Sequence, residues 1–480
     1  METQASQHFQ KLVDAGRPVG EIVAINSFLI TVKGLQPVSI HSLVIFEDGS
    51  RGFTRDILED RVMVLRQGTS QLKIGTLAVV AEENLTAKVG KDFVGRVISV
   101  TGEPLDGKGA IAADAYWLVF NSTPPIYQRE LLDTQLETGV TLIDTVFPIV
   151  RGQRIALLGD SKSGKTTLAT QIAINQRSTD QVVVYVLIAK RRSDVDILLS
   201  RLSDAGTLQK SIVVVSTIFE SLVNSYLAPY IGCALGEYLW QKAGQDVVVI
   251  YDDLTAHAHA YREISLLLGT NPGRDSYPGD IFHAHSGLLE RAGKLKANHH
   301  AMTAIPVVLT EAGDITTYLP TNIMSITDGQ WILDMDVFRS GLRPALNSGL
   351  SVTRVGGVGQ NARQKSQSAT ALKLMADYAK AQKFSHFGTE MAATTHKVLA
   401  AGNQLHQLFT QVPGETYGLI SQQLMLDLIL SDTPIPGLRV DRLKKAAAEV
   451  SSYIKSGEAY AKVLARLKEK AVVPLQGAQK

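Results

Sequence analysis

The sequence predicts a multidomain α/β protein with an N-terminal β-barrel, a central α/β domain on a parallel sheet, and a C-terminal α-helical domain. Three observations point there. Short β-rich runs separated by Gly, Asn, Asp and Ser turns fill residues 21–88. From 89 to 360, continuous apolar strands alternate with Gly-rich turns and helical stretches. From 361 to 480 the β signal vanishes, and Ala, Leu, Lys, Gln and Glu recur at helical spacing. Residues 1–20 form a polar N-terminal segment whose only apolar anchors are Phe9, Leu12 and Val13.

In the barrel region the expected strands are Glu21–Ile25, Phe28–Lys33, Val38–Phe46, Val62–Leu65 and Leu77–Val80. In the central region, Arg154–Leu158, Val182–Ala189, Ile212–Val215 and Val247–Tyr251 are apolar throughout, as strands buried on both faces are. In the last region, helices are expected over Ala369–Phe384 and Val440–Lys455, with breaks at Pro413-Gly414 and Pro434-Ile435-Pro436-Gly437.

The chain has 480 residues, more than one core serves, which also argues for two or three domains. Hydrophobic residues make up 45% and charged residues 20%, and the net charge is +2, so nothing pushes the chain toward nucleic acid. The single cysteine, Cys233, excludes an internal disulfide framework and fits a reducing compartment. The N-terminus lacks the basic start and apolar run of a secretory signal, and no stretch is long and apolar enough to span a bilayer.

The strongest chemical signal is Gly159-Asp160-Ser161-Lys162-Ser163-Gly164-Lys165-Thr166, set between an apolar strand and a helix-compatible run. This is the pattern of a phosphate-binding loop. Its glycines let backbone N–H groups close around phosphate oxygens, and the following helix presents an N-terminus that favours anions. Lys165 is expected to reach the β- and γ-phosphates of ATP or ADP, and Thr166 to ligate Mg²⁺. Asp246 to Asp253 supplies the second element: an apolar strand ending in Asp252, expected to hold the Mg²⁺ shell, with Asp253 as competitor because neighbours on a strand face opposite ways.

Beyond these motifs the chain resembles the alpha subunit of F-type ATP synthases over nearly its whole length. The matching blocks include Phe147-Pro-Ile-Val-Arg-Gly-Gln-Arg-Ile, Tyr251-Asp-Asp-Leu-Thr, Ala260-Tyr-Arg-Glu-Ile-Ser-Leu-Leu-Leu, Tyr277-Pro-Gly-Asp-Ile-Phe, Leu288-Leu-Glu-Arg-Ala-Gly-Lys, residues 315–329 and Gly349-Leu-Ser-Val-Thr-Arg-Val-Gly. The resemblance implies a barrel, a RecA-like P-loop nucleotide-binding domain and a helical domain. It also implies an alternating alpha3beta3 ring with beta subunits, a central gamma stalk, a delta-type peripheral stalk subunit, and membrane contact only through a proton- or sodium-translocating sector. The location it implies is the cytoplasmic face of a bacterial plasma membrane, as a peripheral protein.

Family sites implied by the resemblance fall on several residues. Catalytic sites belong mainly to beta, and an alpha arginine reaches into them; that arginine falls on Arg354, with Ser351 of the same block supporting it. A guanidinium suits the role because its fork bridges charge developing on a transferring phosphoryl group. The adenine-side positions fall on Phe338, Arg343, Pro344 and Gln411. The catalytic glutamate of rotary ATPases falls on Lys190, where alpha subunits usually carry Gln; Lys190 either adds positive charge beside the phosphates or points away from them. Two departures stand out: Ser161-Lys162-Ser163 replaces the usual Arg-Gln-Thr, and Gln411-Val412-Pro413 keeps one amide of a Gln-x-Gln.

Three other readings compete. A self-sufficient export or flagellar ATPase motor needs the glutamate that Lys190 replaces. A ring-shaped RNA translocase needs aromatic platforms in the barrel, where only Phe28, Phe46 and Phe53 occur. A divergent rotary ATPase is kept open by the altered loop. His257-x-His259 and His283-x-His285 would share a face on a strand, but no further ligands complete a metal site.

Overall fold

The computed structural model describes residues 4–68, 71–385, 393–431 and 435–473. The chain forms two compact units, Met1–Glu130 with Asp180–Leu309 and Thr316–Thr327, and Leu131–Thr179 with Thr310–Ile315 and Asp328–Lys480.

The first unit begins with a helix, Gln4–Asp14, and a closed six-stranded barrel. Its strands are β1 (Val19–Asn26), β2 (Leu29–Lys33), β3 (Leu43–Phe46), β4 (Arg51–Ile57), β5 (Arg61–Gln67) and β6 (Leu77–Glu82), in the order β1-β2-β5-β4-β3-β6. All neighbours pair antiparallel, and closure leaves no free edge. Alternate residues, among them Ile22, Ile30, Val32, Val44, Phe46, Val62 and Val64, fill the interior. Phe9, Leu12 and Val13 of the helix cover Ile45, Val79 and Ala81 on the barrel's outside, as their spacing suggested. Burying Phe9 there contributes about 2 kcal/mol.

Two sequence expectations change here. Strand β4 was not foreseen, because Arg51, Arg55 and Asp56 hide its alternation and the register shifts between Thr54 and Asp56. Residues 38–42 do not extend β3. Thr54 Oγ1 donates to Ser39 O and accepts from Ser42 N, which holds them in a turn. Phe28, Phe46 and Phe53 are all buried, so none is presented for stacking on a base.

The same unit carries a parallel sheet in the order Ala301–Leu309, Val247–Asp252, Val182–Lys190, Ser211–Thr217 and Val97–Ser99. Its strands are almost wholly buried, as their unbroken apolar runs require. The helix Leu222–Gln241 packs on this sheet so closely that a Cβ on Gly232 would lie 2.2 Å from Val186 Cγ2. Glu237 of this helix forms a buried ion pair with Arg291, whose Nε lies 2.9 Å from Oε1.

In the second unit, Ala156–Gly159 pairs parallel with Gly329–Leu333, and Val352–Thr353 pairs antiparallel on the other side of Gly329–Leu333. The helix Lys165–Asn175 follows the loop. Among the described residues, five helices follow: Ala362–Ser385, Ala393–Phe409, Leu419–Ile429, Val440–Lys455 and Tyr460–Ala471. The expected break at Pro434 lies outside the described residues, while Pro413-Gly414 does separate two helices. The paired histidines sit on helices, Leu254–Leu267 and Ile281–Leu289, not on strands. No helix among the described residues is long and apolar enough to cross a membrane.

Candidate functional site

The phosphate-binding loop connects the strand ending at Gly159 to the helix starting at Lys165. Gly159 has no alternative: a Cβ there would lie 2.7 Å from Ser163 Oγ and 2.8 Å from Leu333 O. Gly164, at φ 101°, takes the left-handed conformation that caps the helix start. Lys162 is also left-handed, at φ 62°, and it and Ser161 are exposed. Asp160 is engaged elsewhere. Its Oδ1 accepts from Thr310 Oγ1 at 2.6 Å and Gly313 N at 2.8 Å, which pins the segment after Leu309 to the loop.

Lys165 Nζ donates to the carbonyls of Gly159 and Asp160, each at 2.7 Å. These two bonds hold the ammonium at the loop. Ser163 Oγ is buried without a hydrogen-bond partner among the described residues. A buried polar atom left alone costs about 1–3 kcal/mol, so this hydroxyl marks a place where a ligand supplies the missing bond. The unpartnered Ser163 hydroxyl fits a bound nucleotide.

A cavity of about 380 Å³ opens beside Ser163 and Gly164 and is lined by Leu333, Phe338, Arg343, Pro344, Gln411 and Pro413, among others. Its size is that of a small-molecule site. The structure thus brings the loop and the expected adenine-side residues together. Arg343 lies over the Phe338 ring at 3.5 Å from its centroid and donates to Phe338 O and Leu342 O. Gln411 lines this cavity with its amide turned toward backbone. Its Oε1 accepts from Thr141 N at 2.6 Å, and its Nε2 donates to Gly139 O and Glu415 O. Both amide hydrogens are spent on backbone, so Gln411 shapes the wall and has no donor left to read a base. A larger cavity, about 520 Å³, belongs to the first unit and contains none of the expected site residues.

In the first unit, Leu187 lies level with Asp252 on neighbouring parallel strands. Between Leu187 and Lys190 the register shifts, and Ala189 takes φ 50°, a left-handed conformation that costs a non-glycine residue roughly 1–2 kcal/mol. This irregularity aims Lys190 sideways. Its Nζ lies 2.7 Å from Asp252 Oδ1 and donates to Asp253 Oδ2 at 3.0 Å. Burial alone would lower this ammonium's pKa, but the two carboxylates outweigh burial and hold it above its ordinary value. Lys190 is thus held by carboxylates of its own unit and not left in solvent.

Thr166 and Asp252, the two residues expected to hold Mg²⁺, belong to different units. Thr166 is exposed, with its hydroxyl unengaged among the described residues, and fits a ligand. Asp252 does not fit. It is buried, its Oδ1 faces the Lys190 ammonium, and its Oδ2 accepts from Tyr185 Oη at 3.0 Å. Tyr185 was missed from sequence because nothing in a buried aromatic strand residue marks its hydroxyl as a carboxylate partner.

Arg354 follows the short strand Val352–Thr353, and its backbone N donates to Asp328 O at 3.0 Å. The side chain is exposed and, among the described residues, unpaired. Ser351 is buried, and its Oγ accepts from Ile332 N at 3.0 Å. Ser351 therefore ties the segment that carries Arg354 to the neighbouring strand.

Comparison with known proteins agrees with this arrangement. Residues 139–353 match the ATP synthase alpha/beta family, nucleotide-binding domain, and residues 360–478 match the ATP synthase alpha/beta chain, C terminal domain. ATP synthase subunit alpha of Dictyoglomus thermophilum is 38% identical over 455 residues, covering 94% of this chain and 88% of that one. ATP synthase subunit alpha of Helicobacter pylori strain Shi470 is 40% identical over 398 residues, covering 82% of this chain and 79% of that one. With a nucleotide-binding domain, a helical C-terminal domain and relatives of one kind over most of its length, the chain belongs to the ATP synthase alpha-subunit family, part of the ATPase complex.

Proposed function

We propose that this chain is the non-catalytic subunit of an alternating alpha3beta3 ring, holding ATP or ADP at residues 159–166 and lending Arg354 to the catalytic site of a neighbouring beta subunit. The observation that carries the reading is Lys190. Hydrolysis or synthesis at a γ-phosphate needs a group that positions water, and a carboxylate does this. Here the strand after the loop helix ends on an ammonium, ion-paired to Asp252 and Asp253. This chain's own site therefore binds without turning over, which also disfavours a self-sufficient motor of the export or flagellar type. The exposed, unpaired guanidinium of Arg354 supports a role outside its own chain. The ring turns a gamma stalk, meets a delta-type peripheral stalk, and reaches the bacterial plasma membrane on its cytoplasmic side through a sector that moves protons or sodium ions.

The test is co-expression with a beta subunit. Arg354→Ala is expected to assemble normally, as read by native mass measurement, and to lose steady ATP turnover by about 10³ or more. An assembled Arg354→Ala ring with normal turnover would remove the reading.

A further inference from the structure

Arg354 stands where the chain leaves the sheet. The strand before it, Val352–Thr353, has only two residues, paired with Gln330 and Gly329. After it the chain bends into a short 3₁₀ helix, Gly356–Gly359. The exposed guanidinium has no hydrogen bond or ion pair among the described residues, so its aim depends on the backbone on either side. One hydroxyl ties both sides together. Thr353 Oγ1 donates to Pro148 O at 2.8 Å, and it accepts from Gly356 N at 3.0 Å and Gln153 Nε2 at 3.4 Å. A hydroxyl has one proton and two lone pairs, so its whole capacity is used here. The base of this clamp is itself firm. Gln153 is fully buried, its Oε1 accepts from Val150 N at 3.0 Å, and a Cβ on Gly356 would collide with Pro148 O. Pro148, Gln153 and residues 353–356 all belong to one compact unit.

We propose that Thr353 is a positioning residue for the reaction of the ring: its hydroxyl fixes the turn that aims Arg354, and it acts through Arg354 alone. This rests on the reading of Arg354 as a group lent to a neighbouring catalytic site. An arginine stem is long and flexible, so its guanidinium meets a transferring phosphoryl group in the right place only if its Cα is held. A turn loosened by about 1 Å forfeits about 10²-fold in rate. Binding of ATP in its ground state does not call on that aim, whereas the transition state does.

The experiment co-expresses Thr353→Val and Thr353→Ser chains with beta and measures steady ATP turnover by the purified rings. Thr353→Val keeps the branched shape and removes the hydroxyl. It is expected to lower kcat by about tenfold or more, with KM for ATP within about twofold of the wild type. Thr353→Ser keeps the hydroxyl and is expected to stay within about twofold of the wild type in both. The rings are also titrated with ADP, with and without fluoroaluminate, which mimics the phosphoryl group in transfer. Thr353→Val is expected to bind ADP with fluoroaluminate at least about tenfold more weakly and ADP alone as before. A merely structural threonine would weaken both together or neither. Added to Arg354→Ala, Thr353→Val is expected to bring no further loss, and a further loss would show a route other than Arg354 and overturn the proposal. Normal turnover by Thr353→Val rings, with Arg354→Ala rings inactive, overturns the proposal alone. So does a loss in Thr353→Ser as large as in Thr353→Val. Normal turnover by Arg354→Ala rings overturns the reading of Arg354 and the proposal with it. If Thr353→Val yields no rings, Thr353→Cys, whose thiol is a weak hydrogen-bonding group, takes its place with the same expected split and the same overturning results.

Discussion

Gln411 shows how a residue can line a site and yet serve the fold. Its amide bridges Thr141 N, Gly139 O and Glu415 O, and the residue is buried. Gln411→Leu fills similar volume but strands the buried Thr141 N–H. That change is expected to cost about 2–3 kcal/mol in urea unfolding, while the preference for ATP over GTP stays as it was. A base-reading amide would give the opposite pattern, a shifted preference with little loss of stability. The sequence pointed to Gln411 by position only, because two of its three partners lie about 270 residues away along the chain. Lys190 was similar. Its identity excluded a catalytic carboxylate from sequence alone, but its partner Asp253 is 63 residues distant, so its direction was not legible. By contrast the loop glycines were legible, since φ 101° at Gly164 and the tight space at Gly159 are demands that only residue type can meet.

Elements were read best where one physical constraint acted alone. The strands Val182–Lys190 and Val247–Asp252 are buried on both faces, so their apolar runs were unambiguous. Strand β4 was hidden because one face must be wet and its charges broke the pattern. The histidine pairs would share a face on a strand, but they lie on helices, since short spacing cannot separate period 2 from a helix turn. In the fold, His257 Nδ1 and His285 Nε2 lie 3.0 Å apart across two helices, both fully buried. Burial lowers His285 to about 4, and burial with the neighbouring ring lowers His257 further below its usual range. A depressed histidine pKa means the unfolded chain takes up protons first. The stability contributed by neutral His285 is therefore complete above about 6.5 and lost as pH falls toward about 4. Between about pH 7.5 and pH 5, His285 alone is expected to remove about 2 kcal/mol, measured as a falling urea midpoint. His285→Gln should flatten that slope; an unchanged slope would show that other groups set the acid limit. At the strand end, Ala189→Gly should leave stability equal or raise it by up to about 1 kcal/mol, whereas Ala189→Val, branched at a left-handed position, should lower it.

At the scale of the whole molecule, the three compositional zones of the sequence were legible because barrel, parallel sheet and helical region each bury apolar surface with a different period. The surface the chain offers to partners was not, since an exposed apolar residue looks like a core residue in sequence. Leu350, Val352 and Val358, which flank Arg354 in the chain, are 43%, 42% and 59% exposed. Single exposed apolar side chains are ordinary. Three within nine residues, around an unpaired arginine held in place by the buried Ser351, mark a surface built to be covered. If a beta subunit covers it, a charge placed there must be desolvated on assembly without a partner, at a cost of several kcal/mol. Val358→Glu is therefore expected to leave the isolated chain folded, with unchanged circular dichroism and urea midpoint. On co-expression with beta it should shift the population from ring to smaller species in size-exclusion chromatography. Arg354→Ala, which removes a charge and not a contact surface, should keep the ring and lose only turnover. The two variants thus separate the surface that assembles from the residue that acts, and a Val358→Glu chain that still forms full rings would place the covered surface elsewhere.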